Sequence, residues 1–210
     1  MKLLRMLTLL AFSNIALAEQ IVIDNKIIFS NKISENEFSI FEKNIEEHKI
    51  NSILVKNCSG GYSGAAARIS TKIRNANLPA YMDGYVASAC ALIFVGGVTR
   101  ELEPSAQDIK FMLHATIDAT TKEYSPEMTA TYIKIMNRQT NSTLSNLVVE
   151  KINESSSKNG LDGVYFLWSK KDQHVRDAKY CKYTNLFIYM AENCTALKSI
   201  NLYNQNILTK

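Results

Sequence analysis

Three short motifs hold the residue types from which covalent acyl-transfer chemistry is built. Asn57-Cys58-Ser59-Gly60-Gly61-Tyr62-Ser63-Gly64 follows the apolar run 52–55 and precedes a run of good helix formers. Glycines at such a junction let backbone N–H groups approach a ligand or a developing oxyanion closely; the plainer reading is a tight strand-to-helix turn. The run matches neither the phosphate-loop nor the dinucleotide pattern, which sets nucleotide binding aside. Gly84-Tyr85-Val86-Ala87-Ser88-Ala89-Cys90-Ala91 places one hydroxyl among small residues where an apolar helix begins. Ser88 there is a nucleophile if a base is in reach, or else a cap for the first helical N–H groups. Phe111-Met112-Leu113-His114 delivers a histidine on an apolar run, whereas His48 and His174 lie among charged residues. His114 is therefore the candidate base, or alternatively a hydrogen-bonded core histidine. No HxxxH, CxxC or similar cluster is present, so no metal and no cofactor are assigned.

The elements that must position these residues are legible from periodicity. Residues 21–23 and 26–29 flank the turn signal Asp24-Asn25 and read as a hairpin or two edge strands. A helix over 35–48 and a buried strand over 52–55 come next, then the glycine-rich turn, a helix over 65–73 and an extended run from 79. Residues 87–95 read as a short buried helix and 110–114 as a strand. From 126 to about 154 helical propensity is sustained, with a break near Asn141, so two helices are expected. Residues 155–160 read as a polar loop and 169–179 as a short charged helix, while 186–190 are helix or strand. Alternating strands and helices without an internal repeat or dividing linker predict one α/β domain with a mostly parallel sheet.

Composition excludes several function classes. With 210 residues, 46% of them hydrophobic and 21% charged, the chain is neither disordered, collagen-like nor coiled-coil. Lys2 and Arg5, the apolar stretch 6–12 and Ala16-Leu17-Ala18 before Glu19 read as a secretory signal with an A-x-A cleavage site; the alternative, an uncleaved membrane anchor, is disfavoured because Ser13 and Asn14 interrupt an apolar run shorter than a spanning helix needs. Residues 1–18 are thus expected to be removed and 19–210 to form the working domain, periplasmic or secreted, without a stable membrane span. Losing Lys2 and Arg5 lowers the formal charge from +4 to +2, too little to argue for nucleic acid. Export makes Cys58, Cys90, Cys181 and Cys194 candidates for disulfides. Of three connectivities, Cys181 with Cys194 comes first because both lie in one C-terminal segment; buried free thiols are the alternative.

Taken together, the Gly-Gly turn after a strand, Ala87-Ser88-Ala89 opening a small-residue helix, and Met112-Leu113-His114 closing a strand resemble the Clp protease proteolytic subunit and the wider Clp-protease/crotonase superfamily. The run from Ala87 to Arg100 is similar to that of exported bacterial members. The resemblance covers about 21–116 well and the part from about 181 poorly. It implies a Clp-protease/crotonase-like domain in which Ser88 is the nucleophile and His114 the general base, with the N–H groups of Gly61 and Ala89 forming the oxyanion hole. Asp162, ahead of Phe166-Leu167-Trp168-Ser169, matches the carboxylate that orients the base, with Asp172 as rival. Two departures bear on the site. Cys58-Ser59 stands where that subunit has Ser-Pro, and Cys90 stands where a small glycine is usual. A Cys58–Cys90 bridge would tie the oxyanion loop to the nucleophile helix or distort it.

The expected function is an exported serine hydrolase, a peptidase acting on peptides or unfolded segments without ATP. The alternative is a non-catalytic binding or assembly module that keeps the fold. A crotonase-type enzyme acting on acyl thioesters is disfavoured because coenzyme A is not expected outside the cytoplasm. Related proteins form rings or trimers, which implies a homo-oligomer without fixing its size.

Overall fold

The computed structural model describes residues 19–118, 120–121, 123–155, 162–171, 174–182 and 193–209. The expected signal segment 1–18, the rival Asp172 and the ambiguous stretch 186–190 lie outside these residues. Strand β1 (Glu19–Ile23) turns into β2 (Lys26–Ile33) through Asp24 and Asn25, both at positive φ (49° and 62°). That pair of signs defines the type I′ turn whose twist suits a two-residue hairpin. Helix α1 (Glu37–Glu47), β3 (Ser52–Gly61), α2 (Ser63–Asn75), β4 (Ala80–Ala87) and α3 (Ala89–Val95) follow. Next come β5 (Arg100–Leu102), β6 (Asp108–Leu113), α4 (Pro126–Thr140) and α5 (Asn146–Glu154). The chain continues through β7 (Gly163–Ser169), β8 (His174–Val175), β9 (Ala178–Lys182) and β10 (Asn193–Leu197).

These strands form one mixed sheet in the order β1-β2-β3-β4-β6-β7-β9-β10, with β5 beside β4 and β8 beside β7. The centre, β2-β3-β4-β6, is parallel. Both flanks are antiparallel: β1 against β2, β7 against β6, β9 against β7 and β10 against β9. The expected mostly parallel sheet is corrected accordingly. One helix between two strands returns the chain to its starting end and yields a parallel neighbour. Between β6 and β7 lie two helices, α4 and α5, and β7 runs antiparallel to β6. The helix expected over 169–179 is also corrected. Strands β8 and β9 occupy that segment, because Ala178 and Tyr180 are buried in a strand that pairs with β7. The break near Asn141 is present: Asn141 ends α4 in the left-handed conformation at φ 50°.

Helix α3 is buried along its whole length. Phe94 on α3, Phe111 on β6 and Phe166 on β7 meet edge to face, with centroids 6.0 and 6.1 Å apart. This packing fixes the helix that begins immediately after Ser88. Arg100, also buried, donates to the carbonyls of Gly97, Asn206 and Ile207 and so holds the C-terminal segment on the same body. Burial, and secondarily the charge of Arg74, pushes its pKa down to about 10.

Candidate active site

The parallel centre of the sheet brings the C-terminal ends of β3, β4 and β6 to one edge, the place where parallel α/β sheets present their ligand-binding loops. Gly60 and Gly61 end β3, Ser88 follows β4, and His114 follows β6. Gly61, Ser88 and His114 line a single cleft of 330 Å³, with Lys32, Ser59, Tyr85 and Tyr132 among its other walls.

Ser88 joins β4 to α3 with φ 54° and ψ −124°, a conformation an L-residue adopts only under constraint from its surroundings. Its N–H donates to the Met112 carbonyl (3.1 Å). Its own carbonyl accepts from the Ala91 N–H (2.9 Å) and from the Tyr132 hydroxyl (3.2 Å). The side chain makes no capping bond to the helix, so the reading of Ser88 as an N-cap fails. Its backbone is over-determined and its Oγ is left for the cleft.

Two covalent and steric features hold the loop opposite. A disulfide joins Cys58 on β3 to Cys90 in the first turn of α3, with Cα atoms 5.8 Å apart. The Gly60 N–H donates to Cys90 Sγ (3.0 Å). A second disulfide joins Cys181 to Cys194 across β9 and β10, a directly opposed pair. At Gly60, where φ is +113°, a Cβ would lie 2.7 Å from the Ser88 Cβ. Gly61, at φ +124°, would place a Cβ 2.2 Å from the Ile33 carbonyl oxygen. The glycines therefore permit close backbone approach on both sides of the loop. N–H groups around the site have fixed partners: Gly60 bonds to Cys90 Sγ, Tyr62 to the Ile33 carbonyl and Ser88 to the Met112 carbonyl. Gly61 and Ala89 lie between these anchored positions.

His114 is partly buried, and its Nδ1 lies 2.6 Å from the carbonyl oxygen of Ala115. A carbonyl only accepts, so the ring donates from Nδ1 and its neutral form carries the free lone pair on Nε2. Burial lowers its pKa below the ordinary 6.5, and the bond to the Ala115 carbonyl offsets this in part. No hydrogen bond joins Ser88 Oγ to His114 in this state. Asp162 does not line the cleft. It is a buried residue just before β7, next to Gly163, where an added Cβ would lie 3.2 Å from the His114 Cβ, and its charge is felt by Tyr180. Two further cleft residues carry no local sequence signal: Tyr132, which lies inside the helical stretch from 126, and Lys32, whose place depends on irregular pairing at the end of β2.

No protein-family model matches this chain, and no curated protein is similar to it. Among solved structures, ClpP1 from Listeria monocytogenes aligns over 70% of this chain and 84% of its own, at 18% identity and a TM-score of 0.47. A single-substitution variant of that protein aligns over the same shares at 16% identity and a TM-score of 0.46. Among the described residues no helix is long and apolar enough to cross a membrane.

Proposed function

We propose that this chain is an exported serine hydrolase of the Clp-protease-like type, cleaving peptide bonds in peptides or unfolded segments. The observation that carries the reading is the shared cleft of Ser88 and His114, with the serine strained and uncapped at a strand-to-helix junction. Ser88 Oγ attacks the scissile carbonyl carbon as its proton passes to His114 Nε2. The carbonyl oxygen, now negative, accepts from the N–H groups of Gly61 and Ala89. Collapse expels the amine, which takes the proton from His114, and a water repeats the sequence on the acyl-enzyme. The Cys58–Cys90 bridge ties the oxyanion loop to the nucleophile helix, so the donors and Oγ keep their spacing. Disulfides of this kind suit an oxidising compartment.

The histidine supplies a test. With a pKa below 6.5 the imidazole stays neutral at that pH, so the acid limb of kcat/KM for an unstructured peptide falls with a midpoint under 6.5. A midpoint above 6.5, or hydrolysis that persists in His114→Ala, contradicts the assignment.

Asp162 is assigned a supporting part in orienting His114. Because the Ala115 carbonyl already sets the tautomer, Asp162→Asn lowers kcat by only about tenfold, whereas loss of an indispensable triad carboxylate costs about 10⁴-fold. A loss in the larger range would make Asp162 the principal partner of the ring.

A second reading, a non-catalytic module that uses the cleft for binding, draws on the absence of a Ser88–His114 hydrogen bond. Catalytic hydrogen bonds are commonly long before substrate binds, so this observation weighs less than the strained, uncapped serine. Turnover of any peptide that depends on Ser88 removes the second reading.

A further inference from the structure

Strand β2 loses its regular pairing just before it reaches the cleft. Its register with β3 shifts twice, between Phe29 and Asn31 and between Asn31 and Ile33, and Asn31 adopts φ 63°. Consecutive side chains at 31 and 32 are exposed as a result, and Ile33 returns to the core. Lys32 is thereby part of the wall of the cleft that holds Ser88 and His114.

The cleft's electrostatics follow from its lining. Lys32 is its one formally charged residue at neutral pH among the described residues, and hydroxyls from Ser59, Ser63 and Thr116 make up much of the rest. Lys26 pairs with Glu103 at 3.2 Å and Lys56 with Asp83 at 2.9 Å, both away from the cleft. Lys32 has no carboxylate partner among the described residues. Asp118, the carboxylate next in sequence to the cleft residue Ile117, accepts from the N–H groups of Thr120 and Thr121 in its own turn. A lysine lining the cleft of the reacting groups, without an internal counter-charge, is matched by a negative group on the substrate.

We infer that Lys32 is a specificity-determining residue that recognises a carboxylate on the substrate close to the scissile bond. The inference rests on the hydrolase reading of the same cleft. The carboxylate is either an acidic side chain or the chain terminus, and the two sources share the chemistry of a charge-assisted N–H···O bond.

The test compares matched peptides. One pair carries Glu or Gln near the cleaved bond, and the other ends in a free or an amidated carboxyl group. Wild type favours the charged member of at least one pair by about fivefold in kcat/KM, as expected for a partly exposed ion pair. Added salt shrinks the preference. In Lys32→Met the ratio falls to near one, and in Lys32→Glu it inverts. The pair that responds identifies the source of the carboxylate. A ratio near one for both pairs in wild type, or a preference retained in Lys32→Met, overturns the inference. Polarisation binding of the same fluorescent peptides to Ser88→Ala and to Ser88→Ala/Lys32→Met provides a readout independent of turnover. Lys32-dependent binding of the charged peptide without hydrolysis by wild type would support carboxylate recognition while rejecting the peptidase. Hydrolysis without any charge preference would do the reverse.

Discussion

Ser88→Ala reduces peptide hydrolysis by about 10⁴-fold or more, the loss expected when the attacking atom of a serine–histidine pair is removed and only the oxyanion donors and binding remain. The backbone of the residue is itself strained, and the strain has a measurable consequence. Its φ of 54° and ψ of −124° place a side chain where glycine alone is comfortable, a strain of about 1–3 kcal/mol in comparable sites. Both Ser88→Ala and Ser88→Gly are therefore inactive, but the glycine variant is the more stable, by about 1 kcal/mol after the greater entropy of its unfolded chain is allowed for. For a domain of this size that difference raises the melting temperature by about 2–4 °C. A glycine variant no more stable than the alanine one would mean that the backbone at position 88 is not strained. An active Ser88→Ala would remove the proposed chemistry altogether.

The second large effect belongs to Gly60, which touches no substrate in this account. A methyl group at Gly60 would stand 2.7 Å from the Ser88 Cβ and 3.1 Å from Oγ. Neither neighbour can yield easily. Ser88 is tied through its N–H to Met112 and through its carbonyl to Ala91 and Tyr132, while Gly60 is held by its N–H bond to Cys90 Sγ beside the Cys58–Cys90 bridge. The φ of +113° adds conformational strain for alanine. Gly60→Ala is expected to destabilise the fold by about 2–4 kcal/mol. Its effect on kcat is larger than the loss of folded protein explains, about 10²-fold, because displacing a reacting group by about 1 Å costs that much. Activity measured against the folded fraction, read by thermal melting, separates the two effects. Full specific activity in the folded fraction would mean that the close approach of Gly60 does not position Ser88.

Sequence made the local parts of this arrangement legible and left the tertiary ones hidden. Gly60 and Gly61, the small residues around Ser88 and the apolar run ending in His114 are each local signals, and β3, β4, α3 and β6 lie where those signals put them. The parallel order of β3, β4 and β6 follows from the single-helix crossovers and is what brings the three motifs to one edge. The antiparallel half is not legible, because the break near Asn141 marks two helices but does not fix the direction of the strand that follows them. The charged stretch 169–179 has the composition of a short helix, and only the tertiary pairing of β9, which starts at Ala178 and buries Ala178 and Tyr180, makes a strand of its end. The partner of His114 Nδ1 is a main-chain carbonyl, Ala115, and no side-chain pattern encodes such a bond. The positive φ of Ser88 and the irregular pairing that brings Lys32 into the cleft are likewise properties of assembled backbone, invisible in residue types.

Covalent labelling tests the central claim most directly. Incubated with a fluorophosphonate, the disulfide-intact protein is expected to gain one adduct per chain, which peptide mapping places on Ser88. Labelling is lost in Ser88→Ala and slowed by orders of magnitude in His114→Ala, because the hydroxyl then has no base to take its proton. A folded wild-type protein that gains no adduct, gains it at another residue, or labels equally fast without His114 would contradict the account.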